Sequence, residues 1–129
     1  MRIVVTFILL VVASSLRAGL PTYSALRECV EKENPTNSIP ASERVFICPD
    51  YHHDMCPYFQ ETFILRYQDG MTLRQIIDKT KFKGTSVEVW VYRKSDVPSF
   101  QATIQPTDKP AFTVKPEDVV LIFVKVLDM

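Results

Sequence analysis

The densest group of chemically capable side chains lies between Cys48 and Cys56, in the run Cys48-Pro49-Asp50-Tyr51-His52-His53-Asp54-Met55-Cys56. It holds two of the three cysteines and both histidines. Thiolate and imidazole are zinc ligands, so Cys48, His52, His53 and Cys56 could close a tetrahedral site. Adjacent histidines turn poorly toward one ion, and no Cys-x-x-Cys pair accompanies them. A thiol nucleophile is a second chemistry: His52 or His53 as base for Cys48 or Cys56, oriented by Asp50 or Asp54. No oxyanion donor is marked. The plainer expectation is a Cys48–Cys56 disulfide pinning a polar loop, a closure worth about 2–3 kcal/mol in the chain-entropy picture. Cys29 leaves Cys29–Cys48 and Cys29–Cys56 open as well. Whichever pair forms, one cysteine is left over, available to bridge two copies of the chain. No Gly-x-Ser-x-Gly elbow, phosphate-binding glycine loop or His-Glu-x-x-His pattern occurs. The chain reads as a non-enzyme with no cofactor.

Disulfide chemistry fits the compartment that the N-terminus implies. Met1-Arg2, the apolar run Ile3 to Val12 and the small residues Ala13 to Ala18 are the three parts of a secretory signal peptide, in order. The run is shorter than the roughly twenty residues needed to span a bilayer, so no anchor is expected after cleavage. Cleavage after Ala18 takes Arg2 and Arg17 away. That leaves 13 basic against 15 acidic residues, a net charge of −2. Such a balance offers no field for nucleic acid. The expected location is the secretory lumen or the exterior.

The elements that would position any site centre on residues 63–93. Phe63 to Tyr67 is an apolar strand, Asp69-Gly70 a turn, and Thr72 a cap for a helix that runs to Phe82 with Leu73, Ile76, Ile77 and Thr80 on one face. Val87, Val89 and Val91 then alternate with Glu88, Trp90 and Tyr92, the period of a strand. Upstream, residues 21–33 form a helix with Ala25, Leu26, Cys29 and Val30 on a shared face, and Arg44 to Cys48 a short strand. Downstream, Phe100 to Gln105 alternates as an edge strand, and Val119 to Leu127 is apolar on both faces, as a central strand must be.

Three spans follow: 1–18 the signal peptide, 19–42 the N-terminal helix with its linker, and 43–129 a β-grasp-like domain. The expected class is α+β, a ubiquitin-like mixed sheet packed on one main helix at 72–82. First and last strands should lie parallel in its middle. The alternative is a cystatin-like sheet wrapped round the N-terminal helix.

Glu61-Thr62-Phe63, Asp69-Gly70-Met71-Thr72-Leu73, Val87-Glu88-Val89-Trp90 and Asp118-Val119-Val120-Leu121 together resemble the C-terminal ubiquitin-fold domain of ubiquitin-activating enzymes over residues 59–129. The resemblance implies a β-grasp fold and a binding role. It does not imply ubiquitin activation, since no adenylation or catalytic-cysteine sequence accompanies it here.

The residues expected to carry binding are Trp90, Tyr92 and Tyr67. If the three valines of 87–91 face the helix, Trp90 and Tyr92 face away and present rings to a partner. The competing expectation puts the same rings in a second core beneath the N-terminal helix. The function this supports is a small secreted protein-binding module acting through its sheet face. Alternatives are a cystatin-like protease inhibitor, although the Gln-x-Val-x-Gly hairpin is absent, or the thiol or zinc chemistry of residues 48–56.

Overall fold

The computed structural model describes residues 22–49 and 61–124. The leader at 1–18 and most of the 48–56 cluster, including His52, His53 and Cys56, lie outside the described residues.

Helix α1 spans Tyr23–Glu33. Thr22 caps it as an extended residue whose Oγ1 accepts from the Ala25 N–H at 3.1 Å. Asn34 closes it, Nδ2 donating to the Val30 carbonyl at 2.8 Å. The buried stripe is Tyr23, Leu26 and Val30. Ala25 stays exposed and Cys29 half-buried, so the inward face is rotated from the one expected. A ring at Tyr23 brings more apolar area to the sheet than a methyl at Ala25.

A single 3-10 turn at Ala41–Glu43 feeds β1 (Arg44–Pro49), followed by β2 (Phe63–Arg66). Met71 N–H closes a turn onto the Gln68 carbonyl at 3.0 Å, and Gly70 supplies the positive φ of 77° inside it. Thr72 and Gln75 then form a reciprocal capping box at the start of α2 (Leu73–Ile77). This helix stops well short of Phe82. Beyond it the backbone tightens into bonds from Lys79 to Ile76 and from Thr80 to Ile77. The Thr80 hydroxyl donates to the Ile77 carbonyl and accepts from the Phe82 N–H, an alternative to continuing the helix. Phe82 turns into the core instead.

Strands β3 (Val87–Tyr92), β4 (Phe100–Ile104) and β5 (Val119–Phe123) complete a five-stranded mixed sheet in the order β2-β1-β5-β3-β4. First and last strands pair parallel at its centre, Phe46 opposite Val119 and Ile47 opposite Val120. The other three pairings are antiparallel. The class is α+β, as expected.

Both faces of the sheet are packed. On the first, Val45, Ile47, Val89, Val91, Val120 and Ile122 meet Leu73, Ile76, Ile77 and Phe82. On the second, Phe46, Cys48, Ile64, Tyr92, Val119 and Leu121 meet Tyr23, Leu26 and Val30 of α1. This explains the unbroken apolar run of β5, which has a core on either side. Among the described residues no helix is long and apolar enough to cross a membrane.

The start of β5 is set by Asp118, whose residue is fully buried. Arg93 Nε donates to Oδ1 at 3.0 Å and Nη2 to Oδ2 at 2.9 Å, a forked pair. The Lys115 N–H adds a bond to Oδ2 at 2.8 Å, and the Asp118 carbonyl accepts from the Phe46 N–H at 3.0 Å. Asp118→Asn keeps the shape but turns one acceptor into a donor facing donors. It should lower the unfolding free energy by about 1–3 kcal/mol, read from the urea midpoint. Leu26→Ala should cost about 2–5 kcal/mol within the same cooperative transition, because α1 belongs to the second core. An unmoved midpoint would mean that α1 is an appendage.

Candidate functional site

The expected site residues part company in space. Cys48 is fully buried on β1, facing the second core beneath α1. Cys29 lies on α1, its Sγ 4.0 Å from Glu33 Oε2. Among the described residues no group of three or more His, Cys, Asp or Glu could hold a metal ion. The remaining members of the 48–56 cluster are outside the described residues.

The three aromatic candidates have three different fates. Tyr67 packs against the first core; burial and then the neighbouring Asp69 carboxylate hold its phenol above the ordinary range. Tyr92 is 1 % exposed in the second core, so it offers no surface. The expectation of an open Trp90–Tyr92 pair is corrected here: α1 packs over β1, β2 and β5 and closes the sheet above Tyr92. Trp90 and Tyr67 are both half-buried, Tyr67 against the first core and Trp90 at the border of the layer under α1.

Around Trp90 the antiparallel register assembles a polar and aromatic group that the sequence does not display as a unit. Glu88 stands opposite Thr103 on one side and Phe123 on the other, while Trp90 stands opposite Gln101 and Leu121. Trp90 Nε1–H donates to Glu88 Oε2 at 3.0 Å, and Thr103 Oγ1 donates to Glu88 Oε1 at 2.8 Å. The Phe123 ring lies edge-on to Trp90, centroids 5.7 Å apart at 74°. Glu88 is only 8 % exposed, whereas Thr103 and Gln101 are exposed. The carboxylate is therefore held at the solvent edge by two neutral donors. Glu88, Thr103 and Phe123 are additions to the expected site. Only the spacing of Glu88 and Trp90, two apart on a strand and so on one face, could have signalled the pair in advance.

What keeps this part of the face open is the position of α1, which is clamped at both ends. At its start, Tyr23 N–H donates to Asp96 Oδ1 at 2.8 Å and Tyr23 OH to the Glu117 carbonyl at 2.7 Å. Arg27 Nη1 donates to Glu117 Oε1 at 2.9 Å while its guanidinium lies 4.9 Å from the centre of the Phe46 ring. Lys94 Nζ reaches Glu117 Oε2 at 3.2 Å. At its end, Thr62 Oγ1 donates to Glu33 Oε1 at 2.6 Å, and Asn34 Nδ2 bonds the same threonine. Arg44 adds an ion pair to Glu31 at 3.6 Å.

Arg66, Lys79, Lys81 and Lys83 are exposed, and Arg74 is half-buried. Arg66 pairs with Glu43, and Arg74 pairs with Asp78 while donating to the Gln105 and Asp108 carbonyls. No catalytic base with a nucleophile is formed by these groups. The arrangement at Glu88 suits recognition: a fixed acceptor beside a half-buried indole.

The clamp carries a pH signature. Lys94 and then Arg27 hold the Glu117 carboxyl below its ordinary value of 4.5. A carboxyl lowered in the folded state stabilises it above the unfolded value, and that stability is lost as pH falls through the lowered folded value. Acidification from neutral to below the ordinary value should therefore reduce the wild-type urea midpoint more than that of Glu117→Gln. Equal acid slopes would show that the clamp carries no net charge coupling.

No protein-family model, curated protein or solved structure matches this chain.

Proposed function

We propose that the chain is a small non-enzymatic protein-binding module of the secretory lumen or the exterior. It meets its partner through the part of the second sheet face that α1 leaves open. The observation that carries this is the Trp90–Phe123 pair, half-buried beside Glu88, on a face whose other large side chains are sealed under α1. Tryptophan in a half-closed setting contributes heavily to association because it brings a large rigid ring and one N–H donor. Here that donor is already committed to Glu88, so the indole plane is oriented in advance.

The fold we assign is the β-grasp. Three features support it over a cystatin-like sheet wrapped round the N-terminal helix. The strand order is β2-β1-β5-β3-β4, the central pair is parallel, and α2 lies between β2 and β3 in the chain. Secretion follows from the reading of residues 1–18.

Site-specific photocrosslinking tests the face. A photoreactive benzoylphenylalanine at Gln101, on the Trp90 face, should trap a partner from the fluid that the protein is secreted into. The same group at Glu28, on the outer side of α1, should not. Adding Trp90→Ala should abolish the adduct at 101 while leaving the melting temperature within a few degrees. Adducts at 28 alone, or at 101 regardless of Trp90, would reject this face.

A further inference from the structure

We infer that the partner presents an arginine to this face, its guanidinium paired with Glu88 and lying against Trp90 and Phe123. This rests on the binding reading above and names the chemistry of the partner.

The fold uses one arginine construction twice. Arg27 joins a carboxylate and a ring: it bonds Glu117 at 2.9 Å and covers Phe46 at 4.9 Å. Arg93 does the same with Asp118 at 2.9 Å and Phe112 at 5.1 Å. In each, the planar cation meets a carboxylate with its N–H donors, one Nη1–H in Arg27 and a fork in Arg93, and a π face with its flat side, two interactions that a guanidinium satisfies together. Among the described residues, a further largely buried carboxylate that adjoins aromatic rings is Glu88, with Trp90 and Phe123. There the carboxylate has donors but no cation among the described residues: Trp90 and Thr103 give one neutral hydrogen bond to each oxygen.

That leaves two needs unmet. Each carboxylate oxygen accepts about two hydrogen bonds, so each retains capacity for another. A carboxylate withdrawn from water and balanced by neutral donors alone gains more from an added cation than an exposed one does. Access comes from the β4 side, where Thr103 and Gln101 are exposed. An arginine fits better than a lysine, because a compact ammonium would pair with Glu88 without covering the rings.

The test uses the mature protein labelled with nitrogen-15 and three probes: N-acetylarginine methylamide, its lysine counterpart and its norleucine counterpart. The arginine probe should shift the Trp90 Nε1–H resonance saturably at millimolar concentration. The lysine probe should bind more weakly, and norleucine should leave the resonance unmoved. Glu88→Gln, which keeps the size of the side chain, should weaken the arginine probe about tenfold. Should that variant not fold, Phe123→Leu removes the ring and leaves the charge, and should weaken it several-fold. Equal shifts from arginine and norleucine would overturn the cation and leave an apolar binding face standing. No shift from arginine while the crosslink at position 101 still forms would overturn this inference alone. Loss of both would overturn the binding reading as well.

Discussion

The buried Asp118 carboxylate is the constraint on which the rest of the molecule depends. Its two oxygens collect the Arg93 fork and the Lys115 N–H, and its backbone carbonyl takes the Phe46 N–H. Those four contacts tie the chain after β3, the turn before β5 and the first residues of β1 to one point. The parallel pairing of β1 and β5 begins there, at Phe46 and Val119. Parallel strands receive no help from a connecting hairpin, so something nonlocal must set their register. Here it is one residue, whose carboxylate is satisfied by Arg93 and Lys115 while its backbone carbonyl takes the Phe46 N–H of β1. The net stabilisation from such a pair is modest, because desolvation offsets much of the attraction. Its value lies in the arrangement it enforces.

One residue earlier, Glu117 converts that fixed turn into the placement of α1. Its φ of 69° lies in the left-handed region, as does the 53° of its ion-pair partner Lys94. Such a backbone costs a non-glycine residue about 1 kcal/mol or more. In return the Glu117 carbonyl reaches the Tyr23 hydroxyl and its carboxylate reaches Arg27 and Lys94. The strained turn and the helix start are thus one structure. Because α1 is held here and at Thr62, it lies over β1, β2 and β5, and it cannot slide across to cover Trp90. The open part of the face follows from the clamp, and the clamp from the turn.

This chain of dependence explains which features were legible in the sequence. Local rules carried far: Thr72 caps α2, Gly70 takes the positive φ of its turn, the valines of β3 share a face, and β5 is apolar because two cores meet on it. The central parallel pair followed from the order of elements. What failed had two causes, a local side-chain bond in one case and contacts distant in sequence in the others. Thr80 ends α2 by a local hydroxyl bond that competes with helical periodicity, and the reward is the burial of Phe82. The inward face of α1 includes Tyr23 because its hydroxyl has a carbonyl to find 94 residues away. Glu88, Thr103 and Phe123 come from three strands, so only the register makes them a site.

Glu88 is also the residue that stability explains least. A residue only 8 % exposed, opposite Phe123 and adjoining Trp90, would be served by a leucine or methionine packed on those rings. Replacing a buried polar group by an apolar one of similar volume is commonly neutral or stabilising. Asp118 and Glu117 escape this argument, because each is balanced by cations and each fixes a turn. Glu88 fixes no turn and has no cation among the described residues. What it does is orient an indole and hold a negative charge at the margin of an aromatic patch. On the binding role proposed above, those are properties of a surface completed by association, and the two internal arginine pairings point to the cation proposed to complete it.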